Sequence, residues 1–200
     1  MLSPDDARLR LCAITDDLRD GVTGLVERAV AAERGGATMV LLRLKHVDAR
    51  ELLSAGRALV EALSIPVVVS ERLDVALACG AAGVHLQAES MPIVGVRAQA
   101  PGRFLIGSAV TSADDAAAAA DADYVTIGPV FGGGGSAIGL EGFRRLATAT
   151  GRPAIAIGGI DSGSARAVME AGAAGIAVIE AVFGAPDPQA AAAALLAESR

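Results

Sequence analysis

A single-domain (β/α)8 barrel is the fold class that the sequence predicts, on three observations. Short apolar runs recur along the chain, segments with helical patterning fill the intervals, and the runs are continuous rather than alternating, as in parallel strands covered on both faces. At 200 residues and 19.9 kDa the chain can bury one core and needs no second, so residues 1–200 are expected to form one compact domain. An open, doubly wound sheet shares the alternation of elements and is the structural alternative.

Taken in order, the first strand is expected over 10–15 ("RLCAIT"), followed by a helix in "GLVERAVAAERGG". The second, 38–43 ("TMVLLR"), leads into "DARELLSAGRALVEAL", and the third, 66–70 ("PVVVS"), into "RLDVALACG". The fourth, 83–87 ("GVHLQ"), precedes "PIVGVRAQA", and the fifth, 104–108 ("FLIGS"), precedes "ADDAAAAAD". The sixth, 124–128 ("YVTIG"), runs through a glycine stretch into "LEGFRRLATAT". The seventh, 153–158 ("PAIAIG"), is followed by "SGSARAVMEAG", and the eighth, 175–180 ("GIAVIE"), by "DPQAAAAALLAES". Several helical segments follow Asp or Ser, which cap free N–H groups, and several end in Gly, which accepts the left-handed turn that closes a helix.

Composition narrows the function. A net charge of −6 leaves no clustered cations to meet phosphate backbones, and 2% aromatic residues provide few stacking platforms, so nucleic acid is not an expected partner. The apolar runs break well short of a bilayer span, and the acids and arginines of "MLSPDDARLRLCAITDD" interrupt any signal-like stretch, so no membrane partner and a cytoplasmic location are expected. Cys12 and Cys79 form no CxxC pair and are read as reduced, buried side chains.

In a barrel of this kind chemistry gathers where each strand ends and its loop begins. That face is predicted to hold Thr15, Asp16 and Asp17; Arg43 and Lys45; Ser70, Glu71 and Arg72; Gln87, Glu89 and Ser90; Ser108 and Thr111; Gly132 to Gly135; Gly158 and Gly159; and Glu180. In "AIAIGGIDSGSARAV", Gly158 and Gly159 let backbone N–H groups turn towards an anion, and a helix opened by Asp161 or Ser162 adds its positive end, which together suit a phosphate. Glu180 opposes that seat by charge and is equally well read as a solvated acid at a helix start.

"CAITDD", "GGATMVLLRLK", "SERLDVALACGAAGVHLQAE", "DADYVTIGPVF", "GLEGFRRL", "AIAIGGI" and "AGAAGIAVIEAV", in this order, resemble the thiamine phosphate synthase and TenI family over nearly the whole chain. The resemblance implies a barrel acting on small phosphorylated molecules, a hydroxymethylpyrimidine pyrophosphate and a thiazole phosphate, which the synthase branch condenses to thiamine phosphate and pyrophosphate with the help of Mg²⁺. It also implies pairing as a homodimer. Arg43 and Lys45 match the synthase's Arg and Lys and are expected to clamp the pyrophosphate. Gly128, Gly132, Gly133, Gly158, Gly159, Ile160, Ile179 and Glu180 are expected to bind substrate or phosphate. Glu71 and Glu89 are the expected metal ligands.

The sequence departs from the synthase pattern at several of its positions. Leu41 stands for a glutamine, Ser70 and Glu71 for an Asn-Asp pair, Ser90 for a metal-binding Asp, and "GGGGSA" for a Thr-x-Thr-Lys loop. Mg²⁺ prefers hard oxygens in octahedral array, so these changes imply an impaired condensation, unless Glu71 and Glu89 rebuild an acidic pair. The glycine run reads as a shortened lid or a flexible phosphate nest. Two alternatives stay open: a TenI-like thiazole phosphate tautomerase, though its histidines are replaced by Pro129 and Thr111, and a non-catalytic binder or regulator of a phosphorylated thiamine precursor. Of the two histidines, His85 is expected within a strand as a core residue and His46 at the mouth. An unrelated phosphosugar isomerase or epimerase would need an acid–base pair, for which Asp16 or Asp17 with Glu71 is the visible candidate.

Overall fold

The computed structural model describes residues 2–132 and 136–199. Eight parallel strands run in sequence order around a closed barrel: β1 (Leu11–Ile14), β2 (Met39–Leu42), β3 (Val67–Ser70), β4 (Gly83–Leu86), β5 (Leu105–Val110), β6 (Tyr124–Ile127), β7 (Ala154–Ile157) and β8 (Gly175–Val178). Closure rests on β1, which pairs on one side with β2 (Cys12 beside Met39) and on the other with β8 (Cys12 beside Ala177). That seam excludes the open sheet, whose first strand could not meet its last.

Helices α1 (Gly21–Arg34), α2 (Ala49–Ala62), α3 (Leu73–Cys79), α4 (Ile93–Gln99), α5 (Ala113–Ala118), α6 (Gly139–Thr150) and α7 (Ala165–Glu170) follow the first seven strands. The eighth strand is followed by a single-turn helix α8 (Glu180–Phe183) and then α9 (Pro188–Glu198), one helix more than the eight segments read from the sequence. Local chemistry sets these starts. The Asp48 and Glu51 side chains bond reciprocally to each other's backbone at the head of α2, as Ser112 and Asp115 do at α5. Asp187 caps α9, where Pro188 at the first turn forfeits no hydrogen bond. No helix among the described residues is long and apolar enough to cross a membrane.

Both faces of each strand are buried, which is why the apolar runs are continuous. Outward residues such as Val40, Leu42, Val69, Ile106, Ile127 and Val178 pack under the helices, while Cys12, Ile14, Met39, Leu41, Val68, Tyr124, Ile155 and Ala177 fill the barrel. Cys12 and Cys79 are free and buried, as expected, and burial pushes the Cys12 thiol up to about 12. Gly107 of β5 lies between His85 of β4 and Tyr124 of β6 in the ladder. A Cβ at 107 would overlap the Tyr124 ring and His85 Nδ1, so the absent side chain is the space in which these rings stack, with centroids 5.6 Å apart.

The opposite end of the barrel from the catalytic-type face is closed by the 3-10 turn Ala7–Leu9, capped by the Asp6 side chain. Leu9 is fully buried and belongs to the inner cluster, next to Gly175, where any Cβ would collide with the Leu9 carbonyl. Truncation of Leu9 leaves a cavity that the barrel cannot collapse to fill. Leu9→Ala is expected to cost about 2–5 kcal/mol, read as a fall in the denaturant midpoint at unchanged slope.

Candidate functional site at the C-terminal mouth of the barrel

A cavity of about 310 Å³ opens at the carboxyl ends of the strands. Its wall is largely apolar, with Ile14, Leu41, Val110, Pro129, Ile157 and Ile179, and its polar members are Arg43, His85, Gln87, Thr111 and Thr126. Such a site suits a flat apolar ring held by a few convergent polar groups. A second cavity of about 230 Å³ lies beside it over β7 and β8, lined by Gly158, Gly159, Ile160, Ile179, Glu180 and Ala181 among others. The two share Ile157, Gly158 and Ile179, so a ring in the first and an anion in the second would lie side by side.

The glycine seat is shaped by its neighbour. Gly158 (φ +98°) and Gly159 (φ +65°) adopt left-handed backbone that L side chains avoid. A Cβ on Gly158 would come within 2.6 Å of Pro129 Cα, and one on Gly159 would overlap the Phe131 carbonyl. The Val130 and Phe131 N–H groups donate to Ile157 and Gly158 carbonyls, so the loop after β6 is stitched to the loop after β7. The N–H groups of Gly159 and Ile160 donate to no protein acceptor among the described residues, which leaves them available to an anion. The helix start expected at Asp161 or Ser162 falls later. Asp161 Oδ1 accepts from Ser164 N–H at 2.9 Å, Ser164 Oγ accepts from Asp161 N–H at 3.0 Å, and α7 proper begins only at Ala165. The turn 162–164 thus intervenes between the glycines and the helix.

Arg43 is held by its backbone. The fully buried Thr15 hydroxyl accepts from Arg43 N–H at 2.8 Å and donates to its carbonyl at 3.0 Å, which fixes the chain as it leaves β2. The half-buried Arg43 side chain then lines the cavity, and no ion pair among the described residues engages it. Lys45 is exposed and lines neither cavity. Gly128 lines the first cavity. Gly132 (φ +67°) is exposed beside Gly159 and lines neither, and Gly133 lies outside the described residues with Gly134 and Gly135.

Glu71 and Glu89 are both exposed and line neither cavity. Glu71 holds a left-handed backbone (φ +62°), with its N–H donating to the His85 carbonyl at 2.8 Å. Its Oε1 accepts from Ser90 Oγ at 2.9 Å, and Ser90 Oγ accepts from Gln87 N–H at 3.1 Å. The bond joins the loops after β3 and β4. No group of three or more His, Cys, Asp or Glu side chains among the described residues is placed to hold a metal ion. Asp16 and Asp17 are engaged with Arg19 and Arg28, so the acid–base pair that an isomerase would need is tied up in ion pairs.

Two polar side chains at the cavity floor were not legible as site residues. His85 is 2% exposed, and its Nε2 lies 3.1 Å from the hydroxyl of Thr126, itself 5% exposed. Burial pushes the imidazole down to about 4, so it is neutral at neutral pH. The period of two along "YVTIG" puts Tyr124, Thr126 and Gly128 on one face, which was the available signal for Thr126.

Comparison with known proteins places this geometry among relatives. A family model described as thiamine monophosphate synthase matches residues 11–182. The chain is 41% identical over 190 residues to a thiamine-phosphate synthase of Albidiferax ferrireducens, covering 90% of this chain and 87% of that one. It is 40% identical over 195 residues to a thiamine-phosphate synthase of Methanoculleus marisnigri, covering 92% of each. Among solved structures, thiamine phosphate pyrophosphorylase from Pyrococcus furiosus superposes with a TM-score of 0.88 at 38% identity, covering 96% of both chains. A 3-hexulose-6-phosphate synthase, at 20% identity and a TM-score of 0.73, shares the fold.

The buried imidazole makes stability depend on pH. An unfolded histidine takes up its proton near pH 6.5, whereas folded His85 does so near 4. Above pH 6.5 neither state is charged. As pH falls from 6.5 towards 4 the unfolded chain alone gains a proton, so stability declines by about 2–3 kcal/mol over that window. Denaturant unfolding at stepped pH should show this slope in the parent protein and a flatter one in His85→Asn.

Proposed function

The chain belongs to the thiamine monophosphate synthase family, and from that premise we propose that it condenses a hydroxymethylpyrimidine pyrophosphate with a thiazole phosphate, giving thiamine phosphate and pyrophosphate. The C–O bond to pyrophosphate breaks with its electron pair leaving on the pyrophosphate oxygen. The thiazole nitrogen lone pair forms the new C–N bond, and no proton is exchanged.

The observation that carries this reading is the adjacency of the two cavities through Ile157, Gly158 and Ile179. The apolar cavity takes the aromatic rings, and the N–H groups of Gly159 and Ile160, which meet no acceptor among the described residues, donate to the thiazole's phosphate. Arg43 lies at the wall of the ring cavity, in no ion pair among the described residues, suited to the charge that develops as pyrophosphate departs; Lys45 follows it on the same loop as a second, exposed cation. Glu180, exposed at the start of α8, sits at the margin of the phosphate seat with water to take its charge.

Mg²⁺ is commonly held by one or two carboxylates together with substrate phosphates and water. Glu71, with Ser90 beside it, fits the lower end of that range, and Glu89 on the following loop is the second carboxylate within the same mouth. When bound there, the ion would supply charge neutralisation for the departing pyrophosphate. With Ser90 where the family has an acid, Glu71 and Glu89 are the carboxylates of this chain that would hold the ion, alongside the substrate's own phosphates.

A tautomerase would need a positioned acid or base in the cavity. Burial pushes His85 down to about 4, a weak base at neutral pH whose Nε2 is engaged with Thr126, and Pro129 and Thr111 carry no titratable proton, so the chain's residues favour condensation. Thiamine phosphate formation from both precursors, assayed against Mg²⁺ concentration, tests the reading. Product that requires the metal supports it. No product, with thiazole phosphate still raising the melting temperature, would indicate a binder or regulator instead. Glu71→Gln is expected to raise the Mg²⁺ concentration for half-maximal rate about tenfold, while Arg43→Ala lowers kcat by about 10²-fold.

A further inference from the structure

The ring cavity is apolar except at a few points, and those points are unequal. Arg43 and Gln87 stand at its mouth, and the Thr111 hydroxyl is engaged, donating to Asp115 Oδ2 at 2.7 Å. Only His85 and Thr126 are both polar and deeply buried among its lining residues. They bond to each other, Nε2 to Oγ1, at 3.1 Å, and His85 Nδ1 is buried without a partner among the described residues.

The unpartnered nitrogen decides the direction of that bond. With the proton on Nδ1, a buried N–H donor would be left with no acceptor, which is rarer and costlier than a bare lone pair in the same place. The proton therefore resides on Nε2, and His85 donates to Thr126 Oγ1. The Thr126 oxygen is occupied as an acceptor, its own proton must point elsewhere, and no other hydrogen bond of the Thr126 hydroxyl exists among the described residues. What remains is a hydroxyl donor at the floor of an apolar cavity, facing whatever ring fills it.

We propose that Thr126 reads a ring nitrogen of the pyrimidine substrate, donating its hydroxyl proton to that lone pair, and that His85 is the positioning residue that turns the hydroxyl towards the cavity. The inference rests on the condensation proposed above. The thiazole nitrogen is excluded as the acceptor, since its lone pair must stay free to form the new bond. The assignment also explains how a cavity with Leu41 in its wall can recognise a nitrogen heterocycle: the polar contact comes from β6 rather than β2. As the pyrimidine becomes cationic its ring nitrogen grows less basic, so the bond weakens on the way to the transition state. Its contribution is to substrate binding, not to the bond-breaking step.

Three measurements test this. Thr126→Val, which keeps the shape and removes the hydroxyl, is expected to raise KM for the pyrimidine pyrophosphate about tenfold, the worth of one buried hydrogen bond. KM for thiazole phosphate and kcat should be retained, and Thr126→Ser should restore pyrimidine KM. Histidine ¹⁵N shifts at neutral pH should show His85 protonated on Nε2. A purely structural role would move both substrates' KM together and would leave the Ser variant unable to discriminate. An unchanged pyrimidine KM in a folded, active Thr126→Val protein, or an Nδ1–H tautomer, overturns the inference while leaving the condensation standing. Failure of the unsubstituted protein to form product or to bind the hydroxymethylpyrimidine overturns the condensation, and the inference with it.

Discussion

The centre of this barrel depends on one absent side chain. An eight-stranded barrel has an interior just wide enough for side chains to fill, and here the filling includes a tyrosine and a histidine from strands on either side of β5. They stack across Gly107, in space that any Cβ would occupy. From that position follow the burial of the imidazole, its neutrality, its bond to Thr126 and the polar floor of the ring cavity. A methyl group at residue 107 would displace all of them at once.

The mouth of the barrel is organised by pairs of loops that hold one another rather than by any single loop. Thr15 fixes the backbone of Arg43 across β1 and β2, Ser90 joins Glu71 across β3 and β4, and the chain after β6 is hydrogen-bonded to the chain after β7. Arg28 and Arg19 gather Asp16, Asp17 and Asp20 on the β1–α1 loop, and Arg19 reaches the Phe183 carbonyl of α8. Positioning by neighbours in this way keeps a site rigid even where individual loops carry glycine, since each backbone is constrained from two sides.

Much of the fold was legible because the signal was strong: eight continuous apolar runs can hardly be other than strands buried on both faces, and their number matched. The edges were not. Most strands end a residue or two inside the apolar run, because the ladder stops where the chain turns outward, whereas β5 continues to Val110. Glu180 reads both as the last residue of the run "GIAVIE" and as an acid at a helix start, and the second reading holds: it opens α8, a separate single turn not among the eight helical segments. At the site, Arg43 could be placed from its position after the second strand. Thr126 was harder: the period of two groups it with Tyr124 and Gly128, but in a strand buried on both faces no polar–apolar alternation says which of the two faces points inward. His85 was read as a core residue, which describes its burial but not the direction of its hydrogen bond.

The interlock of Gly158 and Gly159 with Pro129 and Phe131 has a consequence for engineering. The two loops behave as a mated pair, so a side chain added at Gly158 or Gly159 collides with Pro129 or Phe131 unless the loop after β6 is redesigned with it. Anyone wishing to graft a longer, lysine-bearing segment after β6 should splice it downstream of Phe131 and leave the glycines of the adjoining loop untouched.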